Sequence, residues 1–300
     1  MAFQDNLISK LENNFVITTE LDPPRGADPS PTYRQAIEAR PYVHAVNISD
    51  SPMANLRMSP IALSHIVQAH AGLETIFHLT TRDRNILGLQ SELLGAAALG
   101  IHNVLTLTGD PPSRGDHPNV QAIFEVDVLG LIDIAKTLNQ GKSKGRDLTS
   151  SSKFTIISAA NPSASDLSVE RSKIEAKLNA GTNLFQTQPI FSLEDLNRFS
   201  GVFNNKLPAP FLFGILPIRS IKMAKNVSKW ANVPEELIKA VEKDGAKAGL
   251  LWAKELIEDL RSTNAAGVHI YSLGKTSILK DILPRLEQTA INKEKRKLQC

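Results

Sequence analysis

The sequence predicts a single (β/α)8 barrel, also called a TIM barrel, preceded by a short N-terminal helix. Eight short apolar runs alternate with segments of helical periodicity along the chain, which is typical of a parallel sheet built from βα units. Eight such units fit the 300 residues of the chain, because a barrel of this kind takes about 250. The main alternative is a doubly wound sheet, but its Gly-x-Gly-x-x-Gly loop is absent from the sequence.

The order of elements follows from these apolar and periodic segments. The predicted strands are residues 15–21, 43–49, 75–80, 103–108, 154–160, 183–187, 211–216 and 268–272. The predicted helices are residues 31–40, 60–71, 86–99, 128–139, 168–180 and 193–204, a long helical region 220–262, and residues 278–286. Before the first strand, Phe3, Leu7, Ile8 and Leu11 share one helical face, which predicts the N-terminal helix.

No linker divides the chain. The stretch 141–152 is rich in Gly, Ser and Lys but lies between a helix and a strand, so it is predicted to be a surface loop. We therefore expect one domain over residues 1–290, followed by a basic tail over residues 291–300 that includes the lysine-rich run 293–297.

Composition narrows the class of protein. Hydrophobic residues make up 42% and charged residues 22%, an ordinary globular mixture with ample material for a core. The net charge of +3 is too small to suggest a nucleic-acid partner. No apolar stretch reaches the roughly 18 residues of a membrane span, and the N-terminus has no signal-peptide core. These features predict a cytoplasmic protein that does not associate with membranes.

Neither disulfide bonds nor a metal site is expected. The sole cysteine is Cys300, the last residue, which excludes intramolecular disulfides and Cys-rich zinc sites. The seven histidines include no His-Glu-x-x-His motif.

Chemistry is expected where the strands of the barrel end, because active sites of such barrels lie at the carboxyl ends of the strands. Polar or ionisable residues lie at the carboxyl ends of all eight predicted strands, and we expect them to converge on one site with perturbed pKa values. These residues are Glu20, Asp22, Ser49, Asp50, His78, Thr80, Arg82, Asp83, Asp110, Asn161, Gln188, Arg219, Tyr271 and Lys275.

Glu20 lies inside an apolar run, just before the turn that Pro23 and Pro24 impose. If it faces the barrel interior, desolvation raises its carboxyl pKa and suits it to be a general acid near neutral pH. An equally open alternative is a structural carboxylate neutralised by an Arg or Lys within the barrel.

Two other strand-end residues also have two interpretations. Asp110 follows Gly109, which allows a ligand to approach the backbone closely, but an Asp in a Gly-Asp-Pro turn can also cap its own backbone. His78 lies within a predicted strand. A histidine in such a position is more often a core residue with satisfied hydrogen bonds than a residue that binds a ligand.

Taken together and in order, six segments of the chain resemble the methylenetetrahydrofolate reductases. The wording Glu-Leu-Asp-Pro-Pro-Arg-Gly at residues 20–26 and Arg-Asp-Arg-Asn at residues 82–85 is most similar to the branch found in acetogenic and related bacteria. That branch includes reductase domains fused to homocysteine methyltransferases. The six segments are residues 19–26, 77–85, 107–111, 180–183 together with 187–189, 214–217 and 271–273.

The resemblance implies a barrel that binds FAD with a folate stacked against the flavin, acting in one-carbon metabolism and methionine biosynthesis. Glu20 then matches the acid that protonates folate N10, after which N5 of reduced FAD delivers hydride to the iminium carbon and 5-methyltetrahydrofolate forms. Asp110 matches a carboxylate near flavin and pterin. Residues implied to contact FAD are Ser49, His78, Thr108, Gly109, Asp110, Asn161 and Lys177, and those implied to contact methylenetetrahydrofolate are Glu20, Gln188, Tyr271 and Lys275.

The chain also departs from the better-known branch of the family. Leu21-Asp22 replaces Phe-Phe, Thr108 replaces Arg, and Asn161 replaces Tyr, all in the implied flavin pocket. Lys275 replaces an Arg, which keeps the positive charge but loses the bidentate fork.

Several properties stay open at the level of the sequence. NADH and NADPH are not distinguished as the electron donor, and the oligomeric state is not specified. Two other functions remain: a subunit of an electron-transfer complex that takes electrons from a partner protein, and a folate-binding barrel that transfers one-carbon groups without redox chemistry.

Overall fold

A computed structural model describes residues 6–143 and 145–286 and shows eight parallel strands closed into a barrel. Each strand pairs with its neighbours in the chain, and the last strand pairs with the first in the register Val16↔Gly267 to Thr19↔Ile270. The predicted TIM barrel is thereby confirmed. The strands are β1 (Val16–Leu21), β2 (Ala45–Ile48), β3 (Glu74–Thr80), β4 (Asn103–Leu107), β5 (Thr155–Ala160), β6 (Leu184–Pro189), β7 (Phe211–Ile215) and β8 (Gly267–Ile270).

Helices connect the strands and surround the barrel. Several begin at a side chain that accepts a hydrogen bond from the first helical turn, such as Asn85, Asp127 and Ser192. The helices are α1 (Leu7–Asn13), α2 (Ser30–Ala39), α3 (Pro60–Ile66), α4 (Ile86–Ala98), α5 (Val128–Asn139), α6 (Leu167–Ala180), α7 (Leu193–Gly201), α8 (Ile221–Val227), α9 (Glu235–Asp244), α10 (Ala246–Arg261) and α11 (Leu279–Ile282), with a π-helical turn at Val67–Ala71 and short 3-10 turns at Pro52–Ala54, Pro112–Arg114 and Thr276–Ile278.

The structure differs from the sequence prediction mainly near the C-terminus. The predicted helical region 220–262 consists of three helices, because Pro234 precedes α9 and Gly245, with a φ of +63°, separates α9 from α10. The last predicted helix is shortened to α11, because Pro284 holds Leu283 in an extended conformation. The predicted loop 141–152 contains a small hairpin that pairs Lys142–Ser143 with Arg146–Asp147.

Helix α1 closes the N-terminal end of the barrel. Leu7 packs with an apolar layer inside the barrel that includes Val16 and Ile76. The Glu74 carboxylate accepts hydrogen bonds from the Leu7 N–H at 2.9 Å and from Lys10 Nζ at 2.7 Å. The predicted N-terminal helix is therefore confirmed, and the open end of the barrel, here called the mouth, is the end where the strands finish at their carboxyl termini.

Parts of the sequence prediction lie outside the described residues. These are residues 1–5 with Phe3, the basic tail 291–300, and Cys300. Within residues 6–143 and 145–286, every helix is too short or too polar to cross a membrane. In the same ranges, the His, Cys, Asp and Glu side chains form no cluster suited to hold a metal ion.

Candidate active site

Most of the predicted site residues lie at the mouth, because they stand at or just after the carboxyl ends of parallel strands. Lys177 differs, because it comes from α6 and reaches the end of β5 from outside the barrel. Strand ends bring Glu20, Ser49, His78, Thr108, Gly109, Asp110, Asn161, Gln188, Tyr271 and Lys275 to this face.

Directly beneath the mouth, five side chains form a hydrogen-bonded layer across the barrel, here called the polar layer: Thr18, Asn47, His78, Gln186 and His269. The amides of Asn47 and Gln186 exchange two hydrogen bonds, at 2.7 and 3.1 Å. Asn47 Nδ2 lies 3.0 Å from His78 Nε2, and Thr18 Oγ1 lies 2.9 Å from His269 Nδ1. These contacts satisfy the polar groups that the barrel buries.

Both histidines of the polar layer are neutral at physiological pH. Burial lowers the pKa of His78 to about 4, although the carboxylates of Asp50 and Asp22 oppose the shift. Burial also lowers the pKa of His269 to about 3, and the neighbouring His78 adds to that effect. His78 is thus a hydrogen-bonded member of the polar layer, and its partial exposure also places it at the floor of the mouth.

Glu20 lies on the inner face of β1, two residues beyond Thr18 of the polar layer. Its Oε1 accepts a hydrogen bond from the Leu273 N–H at 2.9 Å, after β8. Burial raises the pKa of the Glu20 carboxyl to about 7; the bond from Leu273 opposes that rise, and the charge of Asp22 adds to it. No Arg or Lys donates to this carboxyl, so within the described residues the alternative of a neutralised structural carboxylate has no support.

This pKa gives a prediction for stability. A carboxyl whose pKa is about 7 in the folded protein and near 4.5 in the unfolded chain stabilises the fold fully below pH 4.5 and loses that contribution as the pH rises through 7. Because the carboxyl is partly exposed, we expect it to change the free energy of unfolding by only about 1–2 kcal/mol between these pH values. This corresponds to about 4 °C in melting temperature. Glu20→Gln should have the same melting temperature as the wild type at pH 4.5 and a higher one at pH 8, measured by circular dichroism. Equal melting at both values would contradict the raised pKa.

Tyr271 closes the same side of the mouth. It follows β8, two residues beyond His269, and the two rings meet edge to face with centroids 4.7 Å apart. Its hydroxyl donates to the Thr187 carbonyl at 3.0 Å. Burial raises the Tyr271 pKa, and so does the nearby Glu20 carboxylate. The phenol is therefore a neutral donor at physiological pH.

A bulge in β6 creates the space that Tyr271 occupies. The pairing of β6 with β7 shifts between Gln186 and Pro189, and the Thr187 hydroxyl accepts the Gly214 N–H at 2.9 Å in place of a strand carbonyl. A Cβ at Gly214 would lie 2.5 Å from the Thr187 carbonyl oxygen and 2.8 Å from the Tyr271 ring. Glycine is therefore required at this position, and the bulge leaves the Gln188 side chain exposed at the mouth.

On the opposite side, an ion pair joins the ends of β2 and β3. Both Arg84 amino groups donate to the buried Asp50 carboxylate, at 2.7 and 3.2 Å. The N–H and hydroxyl of Thr80 donate to the same carboxylate at 3.0 and 2.9 Å. Ser49 donates to Asp22 at 2.7 Å, which links β2 to the loop after β1. Ser49 and Asp50 thus hold the loops of the first three strands together.

The loop after β4 brings Asp110 to the mouth. Gly109 has a φ of +87°, and a Cβ there would lie 3.0 Å from Cβ of Thr80. The Asp110 carboxylate accepts a hydrogen bond from Arg114 at 2.9 Å, and its side chain is 36% exposed. The donor is the side chain of Arg114 and not a backbone N–H of the turn, so this contact differs from the alternative in which Asp110 caps its own backbone. Thr108 is also exposed here.

Two adjacent cavities open beside these strand ends. The first, called the apolar cavity, measures about 410 Å³ and is lined mainly by apolar side chains of β6, of α8 and of the loops after β7 and β8, together with Tyr271. The second, called the polar cavity, measures about 360 Å³ and is lined by Asn161, Glu170, Lys173 and Lys177. Gln188 and Trp230 border both cavities.

Of the remaining predicted residues, Lys177 and Asn161 border the polar cavity, and Lys275 does not. Lys177 Nζ donates to the Ala159 carbonyl at 2.6 Å, and burial lowers its pKa. The Asn161 side chain accepts from the Ser163 N–H at 3.0 Å, within its own loop. Lys275 is exposed at the mouth but borders neither the apolar nor the polar cavity.

Several site residues had no signal in the sequence. Asn47 and Gln186 are distant in the chain and meet only when the barrel closes. Lys222 and Trp230 fall in the region 220–262, which the periodicity treats as one helical segment. For Trp230, the only feature visible in the sequence is that a tryptophan occurs within the polar stretch 228–232.

Comparison with known proteins identifies the family. The family model described as methylenetetrahydrofolate reductase matches residues 5–287. A relative from Caenorhabditis elegans, named probable methylenetetrahydrofolate reductase (NADPH), is 21% identical over 94% of this chain and 43% of its own length. The 5,10-methylenetetrahydrofolate reductase of Pectobacterium carotovorum is 22% identical over 90% of both chains. The chain thus spans less than half of the first relative and nearly all of the second.

A solved structure shares the fold. A Clostridium thermocellum protein, described as binding two copies of 5-methyl-5,6,7,8-tetrahydrofolic acid, superposes with a TM-score of 0.64 at 14% identity, over 92% of this chain and 99% of that one. This likeness shows the fold, while the family match rests on sequence over nearly the whole chain. The chain belongs to the methylenetetrahydrofolate reductase family.

Proposed function

We propose that this protein reduces 5,10-methylenetetrahydrofolate to 5-methyltetrahydrofolate, with FAD as cofactor, NADH or NADPH as electron donor and Glu20 as general acid. The observation that carries this proposal is the Glu20 carboxyl, which lies at the mouth with a pKa of about 7. A general acid works best when its pKa is near the working pH. Membership of the family supports the choice of substrate and product.

Glu20 acts on the methylene bridge of the folate. Near pH 7 about half of the Glu20 carboxyls carry a proton, which can be donated to N10 of the bound folate. Breaking the bond between N10 and the bridge carbon leaves a cationic iminium. The ionised Glu20, with Asp22 beside it, then stabilises this cation electrostatically. Asp110, on the loop after β4, is the second carboxylate proposed for this role.

The residues of the mouth suit a flavin nucleotide. Gly109, with its positive φ, gives a flat ring access to the backbone after β4, and His78 is a neutral, partly exposed side chain beneath it. Lys173 and Lys177 border the polar cavity, where they suit a pyrophosphate. We propose Ser49, His78, Thr108, Gly109, Asp110, Asn161 and Lys177 as the residues that hold FAD. When bound, the flavin supplies the hydride that reduces the iminium carbon.

The folate is proposed to contact Gln188, Tyr271 and Lys275 as well as Glu20. The exposed amide of Gln188 provides a donor and an acceptor for the pterin ring. Because flavin, folate and nicotinamide all need the same mouth, folate and nicotinamide are proposed to bind in turn against the flavin.

Anaerobic spectroscopy of the purified protein tests the proposal. We expect a flavin absorbance spectrum that NADH or NADPH bleaches, and that methylenetetrahydrofolate then restores with formation of 5-methyltetrahydrofolate. A protein without flavin that still binds folate would indicate a non-redox barrel. A flavin that neither nicotinamide reduces, but a reduced partner protein does, would indicate a subunit of an electron-transfer complex. Either result would contradict the proposed donor chemistry.

A further inference from the structure

The turn after β8 supplies the backbone N–H that faces Glu20. It comprises Ser272 to Lys275, and the Lys275 N–H donates to the Ser272 carbonyl at 3.2 Å. Its two central residues, Leu273 and Gly274, have φ angles of +50° and +72°, the pattern of a type I′ turn. Asn, Asp or Gly is usual at the first central position, where a leucine is strained. The strained backbone thus lies at the residue whose N–H contacts the proposed general acid.

Arg219 fixes the orientation of the first peptide of this turn. Its guanidinium, in the loop after β7, donates to the Ser272 carbonyl at 3.1 Å. The N–H of the same peptide belongs to Leu273 and donates to Glu20 Oε1 at 2.9 Å. Because the C=O and N–H of a trans peptide point in opposite directions, this one peptide connects the cation to the carboxyl. A hydrogen bond to the carbonyl also polarises the N–H and strengthens its bond to Glu20.

Arg219 is a half-buried cation without a carboxylate partner in residues 6–143 and 145–286. Burial lowers the pKa of its guanidinium, and no negative charge opposes that shift. Arg84, across the mouth, differs because it is paired with the Asp50 carboxylate. Desolvation of a cation costs free energy that a bond to a neutral carbonyl offsets only in part. The position of Arg219 is therefore explained better by the peptide that it binds than by an ion pair.

We propose that Arg219 is a positioning residue for the general acid: by holding the Ser272 carbonyl, it keeps the Leu273 N–H directed at Glu20 Oε1. The proton of the neutral carboxyl is then favoured on Oε2, because Oε1 accepts the N–H. Oε2 has no hydrogen-bond partner among the described residues, so it is the atom available to folate N10. This inference rests on the proposed function, because it concerns the same acid. Arg219 acts through the peptide and takes no part in proton transfer.

The Leu273 N–H also affects the titration of Glu20. Its bond opposes the rise in the Glu20 pKa, so a peptide that turns away should raise that pKa further. The charge of Asp22 adds to the rise, while the Tyr271 phenol and both histidines of the polar layer stay neutral near pH 7. The charged and titratable groups near Glu20 are thus Asp22, His78, Arg219, His269, Tyr271 and Lys275.

Infrared titration of the purified protein without folate measures the protonation of Glu20 directly. The carbonyl stretch of the protonated carboxyl is identified by its loss in Glu20→Gln. We expect Arg219→Met to raise the midpoint of this titration by about 0.5–1 pH unit, because the Leu273 N–H is no longer held on Oε1. Arg219→Lys should keep most of the wild-type midpoint, since an ammonium group can also donate to the Ser272 carbonyl.

Gln35→Ala is the matched control for loosening of the turn. Gln35, on α2, donates to the Gly274 carbonyl at 3.0 Å and so binds the same turn without contacting the peptide that faces Glu20. Its variant should titrate like the wild type. An equal shift in Gln35→Ala, or no shift in Arg219→Met, would overturn the inference. If circular dichroism shows that Arg219→Met does not fold, Arg219→Gln replaces it, and its shorter side chain should give a rise in the same direction.

Stopped-flow measurement of folate reduction separates this inference from the proposed function. In Arg219→Met, the fall in rate with rising pH should move to higher pH by the same amount as the infrared midpoint, because Glu20 keeps its proton longer. An unchanged infrared midpoint would overturn the role of Arg219 and leave Glu20 as the acid. A raised midpoint with an unchanged pH profile would instead show that Glu20 is not the acid, which contradicts the proposed function.

Discussion

Replacing Glu20 by Gln is expected to lower the rate of methylenetetrahydrofolate reduction at least 100-fold, because general acids contribute about 100- to 10,000-fold. Gln has the same shape and can accept the Leu273 N–H that Glu20 accepts, but it has no proton to give to folate N10. Reduction of the flavin by NADH or NADPH does not need a proton from Glu20, so the rate of this half-reaction should not change. Anaerobic stopped-flow measurement of each half-reaction checks the two expectations.

Asp22→Asn is the matched control for this variant. The Asp22 charge helps to raise the Glu20 pKa, so the neutral amide should lower that pKa while leaving the acid in place. The wild-type rate of folate reduction should fall as the pH rises through about 7, because Glu20 loses its proton. In Asp22→Asn the same fall should occur at lower pH. A wild-type rate in Glu20→Gln, or a pH profile that neither variant changes, would show that another group is the acid.

The barrel was predictable because its information is local. Each strand, such as β3 or β7, is buried on both faces and reads as a short apolar run between polar segments. The bulge in β6 was not predictable, because it depends on the contact of Thr187 with Gly214 across two strands. The division of region 220–262 into three helices had a local signal in Pro234 and Gly245, which the continuous periodicity obscured.

The candidate site likewise contains features that local sequence could predict and features that depend on contacts between distant parts of the chain. The desolvated position of Glu20 could be predicted from the sequence, since a carboxylate in a strand with an apolar pattern lies in a medium of low dielectric when it faces the barrel interior. The polar layer could not, because Asn47 finds Gln186 only across the closed barrel. The cavities could not either, since Trp230 reaches the mouth from a segment after α8 and not from a strand end. The assignments of individual residues to FAD and folate stay predictions.

The largest loss of stability at the mouth is expected from Asp50→Ala. The substitution leaves the Arg84 guanidinium, which is only 19% exposed, without its carboxylate, and removes the acceptor for the Thr80 N–H and hydroxyl. Removing one partner of a buried ion pair costs about 3–5 kcal/mol, mainly because the other charge stays desolvated. For a chain of this size the loss corresponds to a melting temperature lower by about 10 °C.

Two further variants show whether that loss comes from the stranded charge. Asp50→Ala combined with Arg84→Leu should recover part of the melting temperature, because the uncompensated guanidinium is gone although Thr80 still lacks its acceptor. Glu235→Ala breaks the exposed pair with Lys239, whose side chains are 75% and 70% exposed, and should shift the melting temperature by less than about 2 °C. If Asp50→Ala melted like Glu235→Ala, the pair with Arg84 would not be what holds the ends of β2 and β3 together. The expected order of melting temperatures, with Asp50→Ala lowest, follows from burial alone, because the two ion pairs differ little in length.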